Sequence, residues 1–129
     1  MEVDLGQLAE RNGSGAAVKE FGARMVKDHT RLNKELGSVA TSIGLTVPTG
    51  LTADQQREYT TLSKLTGNRF DKAYMDLMVK DHTEDLAGFQ KAESSSQNPE
   101  LKKAISDAIP VIEEHLDMAK SDSAKLAAR

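Results

Sequence analysis

Counting His29, the residues Val18, Phe21, Met25, Leu32, Leu36, Val39 and Ile43 follow one another at spacings of three or four throughout. A stripe of that period and length dictates a long amphipathic helix that must bury one face against other helices. The rest of the chain repeats the pattern. Proline and glycine fall mostly between the periodic segments rather than inside them, which favours an all-helical chain.

A first helix is predicted over residues 2–12, with Leu5, Leu8 and Ala9 on one side, and Gly13-Ser14-Gly15 breaks it. Gly44 is the expected stop of the second helix. Residues 45–53 form a connector containing Pro48 and Gly50. Thr52 is placed to cap a short third helix with Gln55 at its N3 position, a capping box. Leu62 and Leu65 would be its buried side and Gly67 its end. A fourth helix is expected over residues 68–93, with Phe70, Tyr74, Met78, His82, Leu86 and Phe89 as its stripe. Residues 94–97 read as a linker. Asn98 then caps a fifth helix whose first turn holds Pro99. That helix carries Leu101, Ile105, Ala108, Ile112, His115, Ala119 and Leu126, and Pro110 inside it should cause a kink or bulge.

The chain has 129 residues, enough for one domain spanning 1–129 with a single core. Aromatics make up only 4% of it, so that core must be mostly aliphatic and methionine. The first, second, fourth and fifth helices, with a short helix in the crossover, give an all-α four-helix bundle of the ferritin-like, one-crossover topology. The long link makes the second and fourth helices parallel, expected as neighbours. A net charge of −3 argues against an electrostatic nucleic-acid binder. No run of 18 apolar residues exists, so no membrane span is expected. The absence of cysteine excludes disulfides and thiolate metal sites.

The hexapeptide Met-Val-Lys-Asp-His-Thr occurs twice, at residues 25–30 and 78–83. Its two histidines and His115 are the only ones in the chain, and all three fall on core stripes. At about 1.5 Å of rise per residue, His29 and His82 each lie roughly 20 Å from their respective turns, and Glu2 sits near the same height. His115 lies about one turn further along, an offset that a bulge at Pro110 could absorb. Glu2, His29, His82 and His115 are therefore candidate metal ligands in one layer, since clustered histidines and a carboxylate hold zinc, copper or iron in bundle cores. Asp28 and Asp81 cannot easily share a metal with the adjacent histidine, because neighbouring helical positions diverge by about 100°. They could instead reach the histidine of another helix and fix its tautomer. Glu113 and Glu114 offer a further carboxylate. Met25, Met78 and Met118 share faces with the histidines, which would favour copper, although methionine at such spacing is usually core filler.

The plain alternative is structural. Histidines on apolar faces are usually hydrogen-bonded core residues, and two Asp-His pairs could simply set helix register. No catalytic constellation stands out: there is no cysteine nucleophile, no phosphate loop and no Glu-x-x-His pair of the carboxylate-bridged di-iron type. Storage, buffering or stress protection thus follows more naturally than turnover. A metal-dependent oxidase or peroxidase would need an open coordination position and a pocket beside the histidines. A fourth ligand from a neighbouring chain would give a metal-bridged homo-oligomer.

Several blocks resemble one bacterial family. They are Glu2-Val3-x-Leu5-Gly6-x-Leu8-Ala9, Met25-Val26-x-Asp28-His29-Thr30, Val47-Pro48, Phe70-Asp71-x-Ala73-Tyr74, Met78-Val79-x-Asp81-His82 and Pro110-x-Ile112-x-x-His115-Leu116. Together they resemble domain-of-unknown-function family 4142, whose members are placed among ferritin-like proteins and often labelled outer membrane proteins. The resemblance covers nearly the whole chain. It implies a ferritin-like bundle and an exported protein of the periplasm or cell envelope, its export signal removed from this chain. It implies no established activity.

Overall fold

Five helices form where the periodic segments lie, in a computed structural model that describes residues 1–129. They are α1 (Glu2–Asn12), α2 (Ala16–Ser42), α3 (Ala53–Ser63), α4 (Gly67–Ser95) and α5 (Pro99–Ala127), and there are no strands. Local chemistry sets most of their ends. Thr52 Oγ1 accepts from the Gln55 amide at 3.2 Å, and the Gln55 side chain accepts from the Thr52 amide at 3.0 Å, completing the capping box of α3. The Asn98 side chain accepts from the Leu101 amide at 3.0 Å and starts α5, with Pro99 in the first turn.

Two boundaries differ from expectation. Gly67 does not end α3, which stops at Ser63; it opens α4 with φ +62°, a left-handed conformation suited to glycine. Ser94 and Ser95 are not linker. Their hydroxyls donate to the carbonyls of Gln90 and Lys91, at 3.1 and 2.9 Å, and α4 continues through them. Pro110 is exposed and α5 runs unbroken past it.

Short links pair the helices consecutively, α1 on α2 and α4 on α5. These two hairpins then pack together, α2 against α5 and α1 against α4, with α3 lying on α1 and α4. The second and fourth of these helices run the same way. Asp71, near the start of α4, bonds to Ser14 and Gly15 at the start of α2, and His82 further on meets His29 further on. They are not neighbours, however. Each hairpin satisfies its own helices first, so α2 and α4 end up facing each other diagonally across the interior.

The α1–α2 contact is a crossing of glycines. A Cβ on Gly6 would lie 2.5 Å from the Gly22 carbonyl oxygen, and one on Gly22 would lie 2.7 Å from that of Gly6. The two backbones therefore touch, which draws the start of α1 down onto α2. The apolar core centres here, with Leu5, Leu8, Val18, Phe21, Met25, Phe70, Tyr74, Met75 and Met78 all sealed from solvent. Beyond Leu32 the α2 stripe fades. Leu36, Val39 and Ile43 are only half-buried, because α1 is too short to cover them.

Candidate metal centre

Where the two copies of the hexapeptide face each other across the diagonal, their histidines meet. His29 Nε2 and His82 Nε2 are 3.4 Å apart. His115 enters from α5, and the three ring centroids lie 5.2 to 5.5 Å from one another. The offset of one turn anticipated for His115 is absorbed without unwinding α5. One potential ligand atom from each histidine lies within 4.8 Å of those of the other two. All three side chains are buried, His82 and His115 completely.

Two of the imidazoles have one nitrogen held by a hydrogen bond. His82 Nδ1 faces the carbonyl of Met78, one turn earlier, at 2.9 Å. A carbonyl only accepts, so Nδ1 carries the proton and Nε2 keeps its lone pair. His115 Nε2 lies 2.7 Å from Asp28 Oδ2, and an ionised carboxylate likewise only accepts. His115 Nδ1 is then a bare lone pair, and it is a buried side-chain atom with no hydrogen-bond partner. His29 Nδ1 faces the Glu2 carboxylate at 4.0 Å. Glu2 thus stands beside the nitrogen of His29 that faces away from His82, outside the group of converging atoms.

Burial governs the charge state. It pushes His29 down to about 4, with Glu2 opposing and the other two histidines assisting. Burial also depresses His82 and His115. All three are neutral at pH 7, the form that binds metal. Burial alone would raise Asp28, but hydrogen bonds from His115 and Arg24 outweigh it and hold the carboxyl below its usual range. Burial likewise opposes ionisation of Glu2, yet the attraction of His29 and its backbone hydrogen bond leave it lowered.

The two aspartates of the repeat part company. Asp28 meets a histidine of another helix, as expected. Asp81 meets none. It lines an acidic surface cleft of about 420 Å³ with Glu2, Glu58, Lys80, Glu84 and Asp85. Burial and Glu58 push Asp81 up to about 6, and burial and Glu2 push Asp85 up to about 7. The duplication is therefore identical in sequence but not in surroundings, because the Asp28 side of α2 faces α5 at this height while the Asp81 side of α4 faces the crossover helix α3. Met25 and Met78 belong to the apolar core, and what Met78 offers His82 is its backbone carbonyl.

Sequence reasoning missed Arg24 altogether. Its Nε donates to Asp28 Oδ2 at 2.7 Å and its Nη2 to Glu114 Oε1 at 3.0 Å. The spacing of four between Arg24 and Asp28 was the available signal. It also missed Asp71, which is fully buried and accepts from the Ser14 amide, the Ser14 hydroxyl and the Gly15 amide at 2.7 to 2.9 Å.

Residues 1–121 match the family model described as Domain of unknown function (DUF4142). No curated protein and no solved structure matches the chain.

Proposed function

We propose that this chain, which belongs to the DUF4142 family, holds one transition-metal ion between His29 Nε2, His82 Nε2 and His115 Nδ1. The observation that carries this reading is the buried, partnerless Nδ1 of His115. A tetrahedral ion with nitrogen ligands at about 2.0–2.1 Å sets those nitrogens about 3.3–3.4 Å apart. The His29–His82 separation of 3.4 Å already has that value. For His82 and His115 the other ring nitrogen is hydrogen-bonded to a carbonyl or carboxylate, the usual support of metal-bound histidine, and the Glu2 carboxylate stands 4.0 Å from that of His29. Imidazole ligands suit zinc, copper or iron.

The fold supporting this site is read as a ferritin-like four-helix bundle. Two antiparallel hairpins joined by one long crossover, with parallel helices on the diagonal, support that assignment. Holding the ion for storage, buffering or stress protection suits the site better than turnover. The ligands are sealed, and neither the acidic cleft at Glu2 nor the groove at Arg24 is lined by a histidine. An envelope location is part of the proposal, and fractionation of cells expressing the intact gene tests it.

A second reading has one observation in its favour. A separation of 3.4 Å also permits a hydrogen bond between His29 and His82, so the histidines would only order the core. That reading leaves His115 Nδ1 unsatisfied, at a cost of about 1–3 kcal/mol. Melting of chelator-stripped protein, with and without zinc, copper or iron, separates the two. Metal at 100 times its dissociation constant adds about 2.7 kcal/mol. In a domain of this size that raises Tm by about 10 °C. The rise should vanish in His82→Ala. No rise with any metal would leave the core-ordering reading standing.

A further inference from the structure

We propose that Arg24 is a positioning residue of the histidine centre, fixing the tautomer of His115 from outside the core. The assignment deepens the metal-holding role and rests on it for affinity, but not for the tautomer.

Arg24 is the one basic side chain tied to the layer through a direct hydrogen bond to a histidine's partner. Its side chain is 39% exposed, whereas Asp28 is 9% exposed and His115 is sealed. The guanidinium uses two different nitrogens for two carboxylates on two helices. Nε holds Asp28 on its own helix, and Nη2 holds Glu114 on α5, next in sequence to His115. Arg24, Asp28, His115 and Glu114 therefore close a loop that pins α2 to α5 at the height of the histidines. The planar guanidinium does this with two donors held in fixed relative directions.

The consequence falls on one oxygen. Asp28 Oδ2 accepts from Arg24 Nε and from His115 Nε2, both at 2.7 Å. With the guanidinium in place, that carboxylate cannot turn towards solvent and must stay presented to Nε2. The proton of the neutral imidazole is thereby kept on Nε2, and the lone pair on the buried Nδ1 is left bare for a ligand. Remove the guanidinium and Asp28 is free to rotate, so His115 can carry its proton on either nitrogen. A proton on Nδ1 would block the third ligand position.

The test compares wild type with Arg24→Met, which keeps most of the stem's packing. In metal-free protein with labelled histidine, nitrogen NMR reads the His115 tautomer directly. Wild type should show the proton on Nε2 alone, and Arg24→Met a mixture. Cobalt(II) titration, followed by visible absorption, should then give 10- to 100-fold weaker binding in Arg24→Met, the loss typical of outer partners of metal-bound histidine. A pure Nε2–H tautomer in Arg24→Met overturns the proposal. If wild type takes up no cobalt, the metal role fails, while the tautomer comparison still decides the part played by Arg24. Should Arg24→Met not fold, Arg24→Gln takes its place; it removes the charge and the second donor nitrogen and should also mix the tautomers, and an unchanged tautomer there overturns the proposal equally.

Discussion

His115 donates its Nε2–H in a hydrogen bond to Asp28 over 2.7 Å, and its other nitrogen, fully buried, has no partner. The first half of that relationship fixes the second. Because the carboxylate only accepts, the proton has one place to be, and the buried Nδ1 keeps an unpaired lone pair.

Asp28→Asn should therefore cost more than its position suggests. The amide cannot attract the His115 N–H as a carboxylate does, and the ion pair with Arg24 is lost. The expected loss is about 1–3 kcal/mol of stability in urea unfolding. Binding of any metal at the centre should weaken 10- to 100-fold. Asp81→Asn, at the matching place in the second hexapeptide, should leave binding much closer to wild type, since Asp81 meets no histidine.

Acid should act on two sets of groups in opposite senses. The depressed histidines take up protons on unfolding. Their stabilisation is complete above about 6.5, the ordinary histidine value, and for His29 it is lost as pH falls towards about 4. Asp85 runs the other way. Its folded value of about 7 lies above its ordinary 3.8, so the folded form is favoured at low pH and penalised as pH rises through that window. Asp85→Asn should thus stabilise the protein at pH 8 by on the order of 1–2 kcal/mol, after discounting for partial solvent screening. At pH 4 it should change little. Its acid loss between pH 6.5 and 4 should be steeper than that of wild type, and thermal melts across this range measure all three effects.

Gly22→Ala should destabilise although alanine is the better helix former. The added Cβ would lie 2.7 Å from the Gly6 carbonyl oxygen and 2.8 Å from the Ala9 Cβ. Backbone lies on one side, so α1 must lift from α2. The cost should be about 1–3 kcal/mol in denaturant unfolding. Gly37→Ala on the same helix meets nothing within 4 Å and should be neutral or slightly stabilising.

Asp71→Ala leaves the Ser14 and Gly15 amides without their acceptor, while the Ser14 hydroxyl keeps Asn68 Oδ1 at 3.1 Å. The expected penalty is about 2–4 kcal/mol by urea titration. The histidine layer is remote from this turn, so metal affinity measured under native conditions should hold. A loss of affinity equal to that of Asp28→Asn would show that the turn and the centre are coupled.

Much of this was legible in the chain. Helix number, the capping box at Thr52 and the cap at Asn98 follow from local chemistry, and the three histidines announce themselves by lying on apolar stripes. Other features depend on partners distant in sequence. Nothing near Asp81 says that its surroundings differ from those of Asp28; that is decided by which helix faces each at the same height. Arg24 looks like an ordinary surface residue until α5 brings Glu114 beside it. The diagonal placement of α2 and α4 arises from hairpin pairing, whereas periodicity reports only that each helix has an apolar face. Leu36, Val39 and Ile43 belong to the stripe by spacing yet stay half-buried, because burial depends on how far α1 extends.

The histidine layer draws on both hairpins, with His29 from the first and His82 and His115 from the second. Each hairpin can assemble from its own consecutive helices, but neither owns the centre. Whatever is held there acts as a cross-link between two halves of one chain. Its binding free energy therefore bears on closure across the long connection between α2 and α4, and also on the pairing of α4 with α5, which supply two of the three histidines. Occupancy of the layer would be a gauge of whether the two halves have docked, in the way a rivet is set only when both plates are aligned.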